Sequence, residues 1–356
     1  MFLAVNELNK EKGRFALIVF VIVLMSYLTF FLTSLAYGLA TSYTQGLDKW
    51  GASGIVLNKD ANNTIERSLL FEEDYSAFTI DDTALLGVSG ATIGQDVSED
   101  ISLFGIAFDD FLAPNLTEGR NPIEPSEVVA ADALKDVGVE LGRTLSFKGI
   151  DQELTVVGFT DTATFQTAPI IYVDLVEWRS LAASLAGMNG MRDPTTVSAL
   201  VTRNIADGSA YESDRMQWLS TRDFSFSLPG YQAQVLTFGL MIGFLIAIAS
   251  FVLAVFMYIL TLQKKNVFGI LKAEGVPNSY ISLSVMTQIL LLTLTGLAIG
   301  LAFTVISGLA LGSKVPFLIN PLFFSGIIGL FLICGALGGV ASVRAVTKID
   351  PVEAIG

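Results

Sequence analysis

Four stretches of this chain contain no Asp, Glu, Lys or Arg: Phe15 to Leu47, Phe224 to Gln263, Gly275 to Ser313 and Val315 to Val343. A helix needs about 20 apolar residues to cross a bilayer's hydrocarbon, and each stretch is long enough. The first has the core FALIVFVIVLMSYLTFFLTSLAYGLA, longer than the ~7 to 15 residue core of a signal peptide and without a convincing cleavage site, so it is expected to stay as a membrane helix. Charged residues make up only 15% of the 356, against about 25% in an ordinary soluble domain. Four membrane spans follow.

The charges that remain are sorted by position. Lys10, Lys12 and Arg14 precede the first span, Lys264, Lys265 and Lys272 separate the second and third, and Arg344 and Lys348 follow the fourth. Short cytoplasmic segments carry such residues, so both termini are expected inside the cell and the long segment between spans one and two outside. That segment, 41–230, holds 29 acidic and 12 basic residues, whereas the rest of the chain holds 5 and 9. The predicted order is a cytoplasmic amphipathic segment 1–13, spans at 14–40, 234–262, 280–309 and 320–343, an extracytoplasmic domain 41–230, a cytoplasmic link 263–279, an outer loop 310–319 and a cytoplasmic tail 344–356. The place of such a protein is the plasma membrane, with the lipid bilayer as its first partner.

Composition excludes several functions. A net charge of -13 repels nucleic acid. With no histidine, His-based triads, HExxH sites and His-ligated metals are impossible, and the single cysteine, Cys334, allows neither an internal disulfide nor a CxxC zinc site. No catalytic residue and no metal site is predicted. The acidic run Glu72, Glu73, Asp74 lacks the spacing of a calcium loop and reads as solvated surface. The pairs Asp81/Asp82 and Asp109/Asp110, if on strands, would point to opposite faces and could not converge on one substrate.

Between the first two spans, GIVLNKD, LLGVSGATIG, ISLFGIAFDD, RTLSFKG, ELTVVGF, APIIYVD and TVSALVT read as strands bounded by turn residues, and Glu127 to Val137, Leu175 to Leu185 and Ser209 to Leu219 read as helices. The fold class is therefore an α-helical membrane protein with four transmembrane helices plus an α+β extracytoplasmic domain between helices 1 and 2. Small residues four apart at Gly239/Gly243, Gly296/Gly300, Gly308/Gly312 and Gly335/Gly339 suit close helix packing.

No span has an Asp, Glu, Lys or Arg within its apolar core to couple an ion gradient, and no GxxxxGK[ST] loop is present. Energy for transport would come from a separate ATPase. Two cytoplasmic segments offer it a surface: the start FLAVNELNKEKGR, with Leu3, Val5 and Leu8 on one face, and the link QKKNVFGILKAEGVPNSYI, with Val267, Phe268, Ile270 and Leu271 amid charges. The link read alone is equally an ordinary cytoplasmic turn.

FGILKAEGVPNSYI resembles the "(I)GILKAIG" motif of FtsX/MacB-type permeases of ABC transporters, matching at Gly269, Lys272, Ala273 and Gly275, with Glu274 in place of an apolar or small residue. The ending KIDPVEAIG resembles the family's "DPxEAL" tail at Asp350, Pro351, Glu353 and Ala354, and SEVVAADALKDVGVELGRTLSFKGIDQELTVVGF resembles a stretch of its outer domain. The resemblance covers nearly the whole chain. It implies a permease homodimer with two copies of an ABC ATPase that binds ATP and magnesium, no cofactor in the permease itself, and an ATPase-coupling surface at Phe268, Gly269, Ile270, Leu271, Lys272, Ala273 and Gly275.

Within that family the start MFLAVNELNKEKGRFALI and the motif PGYQAQ resemble the HrtB-like, haem-exporting permeases of Gram-positive bacteria. This implies haem as the transported substrate, with Tyr231, Tyr37, Tyr43, Phe165, Arg67 and Arg179 as candidate contacts. Phe165 stands where haem exporters favour Tyr, which counts against axial ligation there. Tyr is also common at membrane interfaces, and exposed Arg is commonly solvated. Efflux of an antimicrobial peptide or another amphiphile, FtsX-like mechanotransmission to an extracellular wall hydrolase, and sensing of an outside ligand remain alternatives.

Overall fold

The computed structural model describes residues 12–78, 82–94, 98–161, 163–185, 193–312 and 315–347. Most of the amphipathic start, Asp81, and the motif residues Asp350 to Ala354 lie outside them. Two compact units emerge, one of residues 39–235 and one formed by 1–38 together with 236–356.

The second unit is built from long apolar helices. Helix α1 runs Lys12–Asp48 and continues past residue 40, where the sequence alone suggests the span ends. After an insertion come α5 (Tyr231–Gln263), α6 (Lys265–Ala273), α7 (Asn278–Leu311) and α8 (Pro321–Thr347). Four of these are long and apolar enough to cross a membrane. In hydrocarbon the Ser and Thr hydroxyls need partners, and many find them in their own helix: Thr29 Oγ1 donates to the Met25 carbonyl at 2.8 Å, Thr293 Oγ1 to Ile289 at 2.9 Å and Thr304 Oγ1 to Gly300 at 2.9 Å.

Small residues set how closely the helices approach. Gly296 and Gly300 of α7 lie under Ile22 and Ser26 of α1, where a Cβ would overlap those side chains, and Ser26 Oγ reaches the Gly296 carbonyl at 3.3 Å. Gly338 of α8 abuts the Ala254 backbone of α5. Gly239 and Gly243 face open space. Phe30 stacks on Phe324 with ring centres 4.8 Å apart, inside a cluster with Ala249, Leu297, Ile327 and Phe331.

The first unit is one mixed sheet with helices packed on it. Its strands are β1 (Ala52–Asn58), β2 (Thr83–Ile93), β3 (Glu99–Ile106), β4 (Leu116–Gly119), β5 (Glu127–Ala131), β6 (Thr144–Phe147), β7 (Ile150–Thr160), β8 (Thr164–Phe165), β9 (Ala168–Asp174), β10 (Ala199–Arg203) and β11 (Met216–Ser220). The order is β11-β1-β10-β2-β3-β9-β5-β7-β4, with β6 beside β2 and β7, and β8 beside β9. Among the described residues, pairing is parallel for β3 with β9 and for β5 with β7 and antiparallel elsewhere. Short helices α2 (Glu72–Tyr75), α3 (Leu175–Leu185) and α4 (Thr221–Ser227) complete it.

Central strands are buried on both faces, so alternate residues enter different cores. Ile171 and Val173 of β9 join Val128, Ala130 and Leu103 on one side, and Ile170 and Tyr172 join Val129, Ala131 and Phe104 on the other. Trp178 of α3 closes the first core. It lies flat on β2 and β3 because Gly87 and Gly105 face each other across those strands, and a Cβ on either would overlap the indole. The second core takes in Leu47 at the end of α1, Trp50, Leu112 and Phe224 of α4.

Two sequence expectations are corrected. Glu127 to Val137 is not one helix: it starts as strand β5, and only Asp132–Val137 coils, as a 3-10 turn ended by Gly138 at φ 87°. Ser209 to Leu219 holds a 3-10 turn at Ser209–Tyr211 and then strand β11, paired along β1. Strands β4, β5, β8 and β11 and helix α4 go beyond what the sequence suggests. Asp109 and Asp110 sit in a turn rather than a strand, and Asp110 caps the Phe111 N–H at 2.6 Å.

Trp178→Ala is expected to destabilise the sheet unit by about 3 to 5 kcal/mol, because it empties a fully buried ring site over two glycines that cannot refill it. Limited proteolysis of the full-length protein in detergent would show faster cleavage within 39–235; an unchanged pattern would refute this account of the core.

Candidate functional site

The link between the second and third long helices has two faces. Lys264 breaks the helix at the end of α5, and Gly275, at φ 88°, ends α6 with its N–H on the Lys272 carbonyl while the Val276 N–H returns to Leu271. Phe268 is 2% exposed and packs with Phe15, Ile18, Leu253, Ile281, Val285 and Ile289. Gly269 is buried with it, and Leu271 and Lys272 are half-buried. Val267 and Ile270 are about half exposed, at 48% and 49%, beside exposed Ala273, Glu274 and Gly275. An apolar outward face on a short basic helix is suited to receive another protein. Below it, Lys264 is buried with its ammonium 5.1 Å from the Phe15 ring centre.

The other candidate contacts separate into groups. Tyr43, near the end of α1, and Tyr231, at the start of α5, meet with ring centres 5.5 Å apart. Phe226 of α4 stands edge-on to Tyr231 at 5.7 Å and 86°, and the Arg222 guanidinium is 5.8 Å from the Phe226 ring centre. Phe226 and Arg222 escaped sequence reasoning; an Arg and a Phe four apart in a short segment carry no signal until α4 folds them beside PGYQAQ. Tyr37 belongs to a different contact, edge-on to Phe323 at 5.4 Å.

Phe165 is fully buried, its ring 5.4 Å from Phe104, at the base of the β8–β9 hairpin. The hairpin's tip, Gln166 and Thr167, has φ of 49° and 72°, and its N–H groups donate to the carbonyls of Tyr43 (3.1 Å) and Ser42 (3.2 Å). Gln166 also donates to Glu66 at 2.8 Å; burial pushes the Glu66 carboxyl up from its ordinary value, against the pull of its hydrogen bonds. Arg67 is exposed beside it. Arg179 is engaged in structure: its guanidinium donates to the Thr195 and Thr196 carbonyls at 3.1 Å and lies 3.5 Å from the Tyr75 hydroxyl. Burial raises the Tyr75 phenol, and the Arg179 charge opposes that shift. Arg179 is thus bound to the α3 side of the sheet, and no contact joins it to the Tyr43–Tyr231 pair among the described residues.

Residues 239–351 match the FtsX-like permease C-terminal domain family. A Staphylococcus epidermidis protein named as a hemin transport system permease, HrtB, is 27% identical over 363 residues, an alignment covering all of this chain and 99% of that one. An uncharacterised ABC transporter permease of Mycobacterium tuberculosis is 22% identical over 372 residues, with the same coverage. Among solved structures, the periplasmic region of MacB from Actinobacillus actinomycetemcomitans is 13% identical, covering 50% of this chain and 92% of that one at a TM-score of 0.35. Residues 239–351 are therefore an FtsX-like permease domain. Over its full length the chain is similar to proteins named as transport permeases.

The two faces of α6 should respond differently to truncation. Phe268→Ala is expected to cost about 3 kcal/mol and lower the melting temperature in detergent, whereas Ile270→Ala should change stability by no more than about 0.5 kcal/mol. Equal shifts would mean that the faces are assigned wrongly.

Proposed function

We propose that this chain is the permease subunit of an ATP-driven exporter that takes haem from the membrane and releases it outside. It works as a homodimer with two copies of a separate ATPase that binds ATP and magnesium. Both termini and the link 263–279 face the cytoplasm, and the domain 41–230 is extracellular. The observation that carries the haem assignment is the end-to-end alignment with a protein named as a hemin transport permease. The aromatic row Tyr43, Tyr231 and Phe226 supports it: its rings are inclined to one another by 57° and 86°, and each offers an apolar face or edge against which a porphyrin can pack.

In this reading the outward face of α6 receives the ATPase, and Phe268 passes its movement to Phe15, Ile281 and Val285, which share its core. Ile270→Asp and Lys272→Glu are expected to reduce co-purification of the ATPase at least tenfold while membrane insertion stays normal. Undiminished co-purification would remove α6 as the coupling surface.

For the substrate, purified permease with its ATPase should be titrated with haem while the Soret band and ATP hydrolysis are followed together. Saturable binding with altered hydrolysis is the expected result. No binding and no change in hydrolysis would remove haem and leave an exporter of another amphiphile or a transmitter of motion to a wall hydrolase.

A further inference from the structure

Resting on the haem-export reading, we propose that Arg222 is the carboxylate contact of the outer aromatic site. The ligand that fits there is a planar, largely apolar molecule with an ionised carboxylate, of which haem with its two propionates is one. Arg222 replaces Arg67 and Arg179 in that role.

Four side chains form a continuous row: Arg222, Phe226, Tyr231 and Tyr43, each within 6 Å of the next by ring centre or guanidinium carbon. All four belong to the unit 39–235, so the row is held by one folded body. Phe226 is 40% exposed, Tyr43 and Tyr231 are half-buried and Arg222 is exposed, so part of each side chain stays accessible. Neither phenol hydroxyl makes a hydrogen bond among the described residues. The row therefore combines apolar faces with polar groups that the protein itself leaves available.

Two described arginines of this domain, Arg67 and Arg222, make neither an ion pair nor a side-chain hydrogen bond, and of these two Arg222 is the one beside an aromatic ring. Arg120 pairs with Glu127, Arg203 with Asp82 and Arg215 with Glu73, while Arg143 and Arg179 donate to backbone carbonyls. Arg222 makes no ion pair among the described residues, even though acidic residues outnumber basic ones 29 to 12 across 41–230. Its nearest carboxylate in sequence is already committed: Asp223 accepts from Ser220 Oγ at 2.7 Å, and its N–H donates back to that oxygen at 3.1 Å. On a domain whose overall charge repels anions, an unpaired guanidinium beside exposed aromatic rings marks the place where an anionic group is welcome. Ring and carboxylate are then recognised by one row of residues.

The test uses the full-length permease in detergent, titrated with haem and with haem dimethyl ester, whose propionates are blocked. Wild type is expected to bind haem about tenfold more tightly than the ester, and Arg222→Gln to remove that advantage while leaving ester binding unchanged. Arg222→Lys should restore part of it, Arg67→Gln should have no effect, and the preference should weaken as salt rises. Haem binding by Arg222→Gln at the wild-type level, or an equal loss for haem and ester, would overturn the assignment of Arg222 while leaving haem export in place. Failure of wild type to bind either porphyrin would overturn both.

Discussion

Along a membrane-buried backbone there is no water to take up an unpaired N–H or carbonyl, and the rest of this structure depends on that constraint. It turns every charge-free stretch into a helix and sends the side-chain hydroxyls of Thr29, Thr293 and Thr304 back to carbonyls one turn earlier. It also confines irregular backbone to the ends of the helices. Burial alone gives little reason for such helices to associate, since lipid is as apolar as leucine. Shape decides instead, which is why Gly296 and Gly300 lie under α1 and Gly338 lies against α5.

The sheet unit obeys the opposite solvent. Its central strands are buried on both faces, and its sequence is acidic, with several basic residues held in ion pairs such as Arg120 with Glu127. Hydrogen bonds from Arg120 and from the Ile123 N–H hold the Glu127 carboxyl down at about 2, below the ordinary carboxylate range. The β8–β9 tip adds a different kind of constraint: Gln166 and Thr167 accept an unfavourable φ, and their N–H groups bond the Tyr43 and Ser42 carbonyls of α1.

The membrane half was legible because its signal is coarse: a run of residues without charge has one structural meaning at that length. Seven strands were legible from β-branched runs between turn residues. Strand β5 was not, because Glu127-Val-Val-Ala-Ala-Asp-Ala-Leu-Lys reads as a helix by propensity, and only burial between β9 and β7 makes it extended. Strand β11 depends likewise on β1, which lies more than 150 residues earlier. For the candidate site, the segment that forms α6 was singled out by its likeness to the family motif, since read alone it was equally an ordinary turn. The aromatic row could be found only in part, since Tyr43 and Arg222 are joined by folding across almost the entire sheet unit, and no local pattern records such a meeting.

Trp178 and the two glycines beneath it hold a lesson about how this domain can vary. The indole occupies the volume that side chains at 87 and 105 would otherwise fill, so the three positions share one space. A methyl group gained at 87 would need the ring to shrink, one at 105 would meet the Trp178 Cβ as well as the ring, and a smaller residue at 178 would leave a hollow. What one of these positions can hold is thus set by the other two, although 178 is 91 residues from one of its partners and 73 from the other in the chain.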